Sequence, residues 1–306
     1  MTQKELITIG IPVLNEEDNI PELISRLTII VDELSDLGLR IEILVNNNAS
    51  TDASANLLDK WSDSDDRVKV NHIPFLISFQ ASILELLRAS HGDAFILLQS
   101  DLQDPPETIK TFTEFWLLGD KVIAGVITER DEGRFTSLIR KLFYLMLKMF
   151  ADGNIIIGFQ DFYLIDRSVV NSLKNLAHDG LFLRGHISSR FGSVRKVAYS
   201  RQSRKRGITK FSFPAKYSLA LDGLLLFGTR FVRSVSTISF IMFSVGIIGT
   251  FCTLVLFLTG FMPSLGSITL GIMLFTLLSL LGVATGLILE FLIRIYRFLI
   301  FSTNHK

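Results

Sequence analysis

Asp101, Gln103 and Asp104 fall within four positions of one another, and their oxygens are of the kind that binds a hard divalent cation. They follow Ala94-Phe95-Ile96-Leu97-Leu98, an apolar run that reads as a buried strand, and they precede a Pro105-Pro106 stop. In open α/β sheets ligands bind outside the carboxyl ends of the strands, so these groups are expected at the mouth of a site. A cation held there would in turn bind diphosphate. The same residues also fit a plainer role, an Asp-Pro turn capping a helix that begins near Pro106.

The elements that must position this loop alternate between strand and helix from residue 1 to about residue 210, as in an α/β layer fold. Strands are expected at Leu6 to Pro12, Ile41 to Val45, Val68 to Ile73 and Ala94 to Leu98. Helices are expected from about Pro21 to Leu37, Asp52 to Asp63 and Phe79 to Ser90. The first two strands run into polar loops, Asn15-Glu16-Glu17-Asp18-Asn19 and Asn46-Asn47-Asn48-Ala49-Ser50-Thr51-Asp52. Together with the Asp101 loop these would line one nucleotide crevice. Neither common glycine-rich phosphate loop is present.

Pro12-Val13-Leu14-Asn15-Glu16-Glu17, Ala49-Ser50-Thr51-Asp52 and Ser100-Asp101-Leu102-Gln103-Asp104-Pro105-Pro106-Glu107 resemble the corresponding segments of family-2 glycosyltransferases. More narrowly they resemble the polyprenyl-phosphate glycosyltransferases, relatives of dolichol-phosphate mannose synthase. Asp161-Phe162-Tyr163-Leu164-Ile165-Asp166-Arg167 and Arg204-Lys205-Arg206-Gly207-Ile208-Thr209-Lys210 look like the same group. The resemblance implies a GT-A (Rossmann-like) nucleotide-sugar-binding domain and an NDP-sugar donor, a UDP-sugar by expectation. It also implies Mg²⁺ or Mn²⁺ and inverting transfer of a glucose-like hexose to undecaprenyl or another polyprenyl phosphate. Metal ligation falls to Asp101 and Gln103. Donor binding falls to Pro12, Asn15, Glu16, Asn47, Asn48, Ser100, Asp101 and Gln103. The acceptor phosphate is expected at Arg201, Arg204, Lys205, Arg206, Thr209 and Lys210, where guanidinium groups can grip phosphate bidentately. Asp161, with Asp101 the expected catalytic pair, would orient acceptor or sugar. The basic run also fits contact with anionic lipid headgroups and the setting of topology, and Asn15 and Glu16 also fit helix capping.

Four positions differ from the common family pattern. Gln99 stands where an acid is usual, Asn47 and Asn48 where an Asp pair is common, Phe75-Leu76-Ile77-Ser78 where Arg-Asn-Phe-Gly is common, and Tyr163 where Arg is frequent. Two alternatives therefore stand beside the enzyme reading: an inactive membrane-bound scaffold or regulator, and a processive polysaccharide synthase. The second is disfavoured by the lack of a Gln-x-x-Arg-Trp motif.

The remainder of the chain is apolar. Its 306 residues are 48% hydrophobic, and Ser234 to Leu289 holds no Asp, Glu, Lys or Arg. Two membrane crossings are expected, about 235–258 and 270–291, as a hairpin closing a 234–306 segment. A buried helical hairpin would need a far larger core around it. Arg230 and Arg233 before the pair, and Arg294, Arg297 and Lys306 after it, place both termini in the cytoplasm. The expected location is the bacterial inner membrane, with no leader peptide at the N-terminus. Residues 211–233 read as a juxtamembrane amphipathic segment. Arg134 to Phe150 reads either as a second interfacial helix or as one packed on the core. The lone Cys252 excludes a disulfide framework, the five histidines lack metal-ligand spacing, and a net charge of +1 argues against nucleic acid. A homo-tetramer is the oligomer implied by the resemblance.

Overall fold

The computed structural model describes residues 5–127, 159–174, 176, 183–191, 193–201, 229–261 and 266–302. The expected interfacial helix at 134–150, the 211–228 part of the juxtamembrane segment, and Arg204, Lys205, Arg206, Thr209 and Lys210 lie outside them. Two compact units emerge, one built on a sheet and one on the two C-terminal helices.

In the first unit, β1 (Leu6–Val13), β2 (Arg40–Asn48), β3 (Val68–Ile73) and β4 (Ala94–Leu97) are parallel. They are joined by α1 (Ile20–Asp36), α2 (Ser54–Ser64) and α3 (Phe79–Ala89). Beyond them lie α4 (Thr108–Leu117), β5 (Val122–Ile127), β6 (Phe159–Asp166), α5 (Arg167–Leu173), α6 (Leu183–Arg190) and β7 (Arg195–Tyr199). The seven strands form one sheet in the order β3-β2-β1-β4-β6-β5-β7. Among the described strands only β6 runs against its neighbours, so it brings its amino end to the edge where the others end.

Two departures from the expected pattern bear on the site. β2 continues through Asn46, Asn47 and Asn48, all buried, and each side chain finds a partner, Asn46 on Asn71 of β3 and the Ser82 carbonyl of α3, Asn47 on His72 of β3 and Asn48 on Ile77 in the following loop. α4 begins at Thr108 and its N-cap residue Glu107 makes no side-chain cap, so Asp104 does not serve as the helix cap. Instead Arg26 of α1 forks onto Glu107, with Nε and Nη2 donating to its two carboxylate oxygens at 2.9 and 2.7 Å. That pair ties the far end of the Asp101 loop to α1.

Alternate side chains of the strands, Ile7, Ile9, Ile11 and Val13 in β1 and Ile41, Ile43 and Val45 in β2, pack with α1, α2 and α4 in one buried cluster. On the other face Phe95 crosses β1 so closely that a Cβ on Gly10 would lie 2.5 Å from its ring. A side chain at position 10 would displace that ring.

The second unit pairs α7 (Thr229–Leu258) with α8 (Ser267–Ser302). Arg233–Leu258 and Thr269–Ile295 are long and apolar enough to cross a membrane, each with a mean hydropathy of 2.4. Only 11% of each apolar window is buried, whereas a core helix of a soluble domain would be mostly covered. The helices meet along small residues: Gly246 on Thr276, Gly249 on Ile272, Gly282 on Ser239 and Gly286 on Ser236. At the charged end Glu290 accepts from Arg233 Nε at 3.2 Å and Arg294 Nη2 at 2.7 Å.

A Cβ on Gly282 would sit 3.1 Å from Ser239 Cβ, close to the span of a disulfide of roughly 3.5–4.5 Å. With Cys252 replaced by Ser, oxidation of a Ser239→Cys, Gly282→Cys chain is therefore expected to give an intramolecular bond, read by mass spectrometry and non-reducing electrophoresis. Intermolecular dimers alone, or unreacted thiols, would contradict the seam.

Candidate active site

The carboxyl ends of β1 and β2 are held together by side chains. The Asn15 amide donates to Ser50 Oγ at 2.9 Å, and Asn15 Oδ1 accepts from the Thr51 amide at 2.7 Å. The Glu16 amide donates to Ser54 Oγ at 2.9 Å, and Glu17 accepts from the Ala53 amide at 2.8 Å. Asn15 thus binds the second loop instead of capping α1, while Glu16 Oε2 accepts from Asn19 Nδ2 at 2.6 Å.

Among the described residues, three other than glycine have left-handed backbone: Asn15 at φ 50°, Ala49 at 52° and Leu102 at 55°. They follow β1, β2 and β4, the three central parallel strands. Such conformations are uncommon outside glycine, and strain of this kind gathers at functional sites. Leu102, with a large buried side chain, is the most demanding of the three.

The β2 asparagines are engaged inside the protein. Asn47 Nδ2 lies 2.9 Å from His72 Nδ1, and its Oδ1 faces the Ser50 amide at 3.3 Å. Asn48 makes a two-point bond to one residue, its Nδ2 donating to the Ile77 carbonyl at 2.8 Å and its Oδ1 accepting from the Ile77 amide at 2.9 Å. This holds the loop that exposes Phe75 and Leu76, each 66% accessible.

The loop after β4 carries the densest charge. Ser100 Oγ donates to the Pro12 carbonyl at 3.1 Å, tying β4 to β1 at the point where the sheet order reverses. Asp101 Oδ1 accepts from the Gln103 amide at 3.2 Å. Asp104 is fully buried; its Oδ1 accepts from the Tyr199 hydroxyl at 2.5 Å and faces Arg201 Nε at 3.3 Å. Across the edge, Asp161 at the start of β6 faces Arg184 Nε at 3.3 Å, and its carbonyl lies 3.5 Å from Gln99 Nε2.

Burial pushes Asp104 up to about 6, with Asp101 and Asp161 adding to the rise and Arg201 and Tyr199 opposing it. Burial also raises Asp161, against the pull of Arg184 and Arg201. Asp101, Asp104, Asp161, Arg184 and Arg201 therefore form one coupled set.

The expected residues Pro12, Asn15, Glu16, Asn47, Asn48, Ser100, Asp101, Gln103, Asp161 and Arg201 thus share one edge of the sheet. Sequence reasoning missed Arg184, Gln80 and Tyr199. Gln80 of α3 bonds Asp161 and accepts from the Leu183 amide at 3.3 Å. None of the three stands in a recognisable motif, and the strands β5 to β7 that place two of their contacts were not foreseen. Asp104 was foreseen only as a second acid beside Asp101.

The model of the family described as Glycosyl transferase family 2 matches residues 8–174, more than half of the chain. The chain belongs to glycosyltransferase family 2. Among its relatives, the uncharacterized glycosyltransferase YkcC of Bacillus subtilis is 32% identical over 250 residues, 81% of this chain and 76% of that one. The bactoprenol glucosyl transferase of Shigella phage SfV is 31% identical over 225 residues, 73% of this chain and 72% of that one. The crystal structure of glucosyl-3-phosphoglycerate synthase from Mycobacterium tuberculosis with phosphoglyceric acid matches with a TM-score of 0.54 at 19% identity. That match covers 72% of this chain and 79% of that one, and it shows the GT-A fold expected from the sequence.

GT-A glycosyltransferases commonly use a divalent metal. Among the described residues, no group of three or more His, Cys, Asp or Glu side chains is arranged to hold one. The donor set suits a cation that arrives with a diphosphate, since Mg²⁺ is commonly held by one or two carboxylates plus substrate phosphates.

The Asn48 contact makes a prediction within the glycosyltransferase fold. Asn48→Ala removes both partners of Ile77 and is expected to cost roughly 1–3 kcal/mol in denaturant unfolding and to speed exchange at the Ile77 amide. Asn48→Asp, which keeps only the acceptor, is expected to fall between. Exchange at Ile77 unchanged in both would remove Asn48 from loop positioning.

Proposed function

We propose that the chain transfers a glucose-like hexose from a UDP-sugar, with inversion, to undecaprenyl or another polyprenyl phosphate at the cytoplasmic membrane face. The observation that carries this reading is the convergence of Asn15, Asn47, Asn48, Ser100, Asp101, Asp161 and Arg201 on one sheet edge. Support for the acceptor comes from relatives named bactoprenol glucosyl transferase and from two apolar helices in the same chain. In this reading residues 1–210 form the catalytic domain, 211–233 a juxtamembrane segment and 234–306 a membrane hairpin with both termini cytoplasmic.

The reaction joins an acceptor phosphate oxygen to the anomeric carbon while the bond from that carbon to the donor's β-phosphate oxygen breaks, its electron pair leaving with UDP. A phosphate monoester has a second pKa near about 6, so the nucleophile is largely dianionic at neutral pH and no strong base is required. Asp161 then orients rather than deprotonates. Pro12, Asn15, Glu16, Asn47 and Asn48 shape the nucleotide side, with Ser100 bracing the β4 loop. Asp101 and Gln103 would hold Mg²⁺ or Mn²⁺, which when bound stabilises the departing diphosphate. Arg201 meets the acceptor phosphate; Arg204, Lys205, Arg206, Thr209 and Lys210 continue that basic segment in sequence.

The test is a donor screen on detergent-purified protein with Mn²⁺ or Mg²⁺, short-chain polyprenyl phosphate and labelled UDP- and GDP-sugars. Label is expected in the lipid phase from a UDP-hexose. Asp101→Ala is expected to lower that turnover by at least about 100-fold without changing thermal stability. Label from no donor, with lipid that serves a control enzyme, would overturn the reading in favour of an inactive scaffold, and a polymeric product would favour a synthase.

A further inference from the structure

Asp104 is a fully buried acid that touches neither substrate in the proposed reaction. Its loop is braced on both sides, by the Ser100 bond to Pro12 before it and by the Arg26 fork on Glu107 after it. Its Oδ1 accepts from the Tyr199 hydroxyl at 2.5 Å and forms an ion pair with Arg201 Nε at 3.3 Å, while among the described residues neither Oδ2 nor that Nε has a hydrogen-bond partner. Tyr199 is itself fixed, its ring edge-on to buried Phe162 with centroids 5.6 Å apart. Arg201 lies two residues beyond that anchor, at the start of the basic segment.

We propose that Asp104 is a positioning residue that holds the Arg201 guanidinium ready for the acceptor phosphate, linking the loop that carries Asp101 to the segment that receives the lipid. A guanidinium offers five N–H donors in a rigid fork. Engaging the Nε side on a buried carboxylate leaves the Nη donors for a phosphate and removes the side-chain freedom that binding would otherwise have to quench. Tyr199 serves the same end by fixing the carboxylate. This inference rests on the reading of Arg201 as an acceptor-phosphate ligand.

A double-mutant cycle on the full chain in detergent tests it, using Asp104→Asn, Arg201→Ala and both together. Calorimetry would read the affinities for short-chain polyprenyl phosphate and for UDP separately, so no turnover is needed. Arg201→Ala is expected to weaken lipid-phosphate binding about 10-fold or more, in the range of a lost charge-assisted hydrogen bond. Asp104→Asn is expected to weaken it several-fold when Arg201 is present and not at all when Arg201 is absent, with UDP affinity unchanged in every variant. Equal losses in both backgrounds, or UDP affinity falling in step, would mean that Asp104 merely supports the fold.

Should Asp104→Asn not fold, Tyr199→Phe leaves every charge in place and is expected to weaken lipid-phosphate binding a few-fold with UDP affinity kept. An unaltered lipid affinity there would overturn the proposal. No lipid-phosphate binding by the unmodified chain would overturn the acceptor reading and this inference with it. Binding with an uncoupled cycle would overturn this inference alone.

Discussion

A parallel sheet sets the carboxyl ends of its strands along one edge, and the chemistry of this chain depends on that alignment. β1, β2 and β4 end together, and β1 and β4 adjoin where the strand order reverses. Ligands bind at such a reversal in open α/β sheets, and here the loops that flank it carry no glycine-rich cradle. The loops instead support one another, Asn15 by binding Ser50 and Thr51, Glu16 and Glu17 by binding residues at the start of α2, and Ser100 by binding Pro12. The antiparallel β6 completes the edge, because its reversed direction delivers Asp161 from its beginning. Had β6 run with the others, Asp161 would lie at the opposite end of the sheet.

Electrostatics follows from this convergence. Three carboxylates on one edge would repel a nucleoside diphosphate and one another. Two of them are buried, each opposed by a guanidinium, Asp104 by Arg201 and Asp161 by Arg184. A buried ion pair is weak evidence of net stability, but removing one partner leaves an uncompensated charge and is severe. The arrangement is better understood as organisation than as stabilisation: it fixes two cations in a site whose ligands are anionic. Asp101, the third, lies on the same loop as Asp104, its Oδ1 accepting from the Gln103 amide at 3.2 Å.

The first half of the fold was legible because its signals are local. Apolar runs ending in polar loops place β1 and β4 nearly to the residue, and the alternation of Val68, Lys69 and Val70 before Pro74 places β3. β2 was read short because Asn46, Asn47 and Asn48 resemble a loop, and only their ladder pairing with Asn71, His72 and Ile73 of β3 makes them strand. β6 was missed because Gln160, Asp161 and Tyr163 interrupt its apolar pattern, and β7 because Arg195 and Lys196 open it. The motif acids could be found from type and spacing. Arg184, Gln80 and Tyr199 could not, since what gives them a role is a tertiary contact, Arg184 with Asp161, Gln80 with Asp161 and Leu183, and Tyr199 with Asp104.

The departures from the common family pattern acquire a physical sense in this setting. Gln99 directs an amide toward the Asp161 carbonyl, where an acid would oppose an acceptor with an acceptor. Asn48 grips both backbone groups of Ile77, which requires a donor and an acceptor on one side chain, and Asp offers no donor when ionised. Asn47 likewise meets a ring nitrogen of His72 and the Ser50 amide at once. Each replacement removes a negative charge from an edge that already holds three carboxylates and returns a hydrogen bond to the scaffold. The consequence is a sheet edge with less negative charge and a more firmly held set of loops, in which Asn47 and Asn48 brace the backbone around His72 and Ile77.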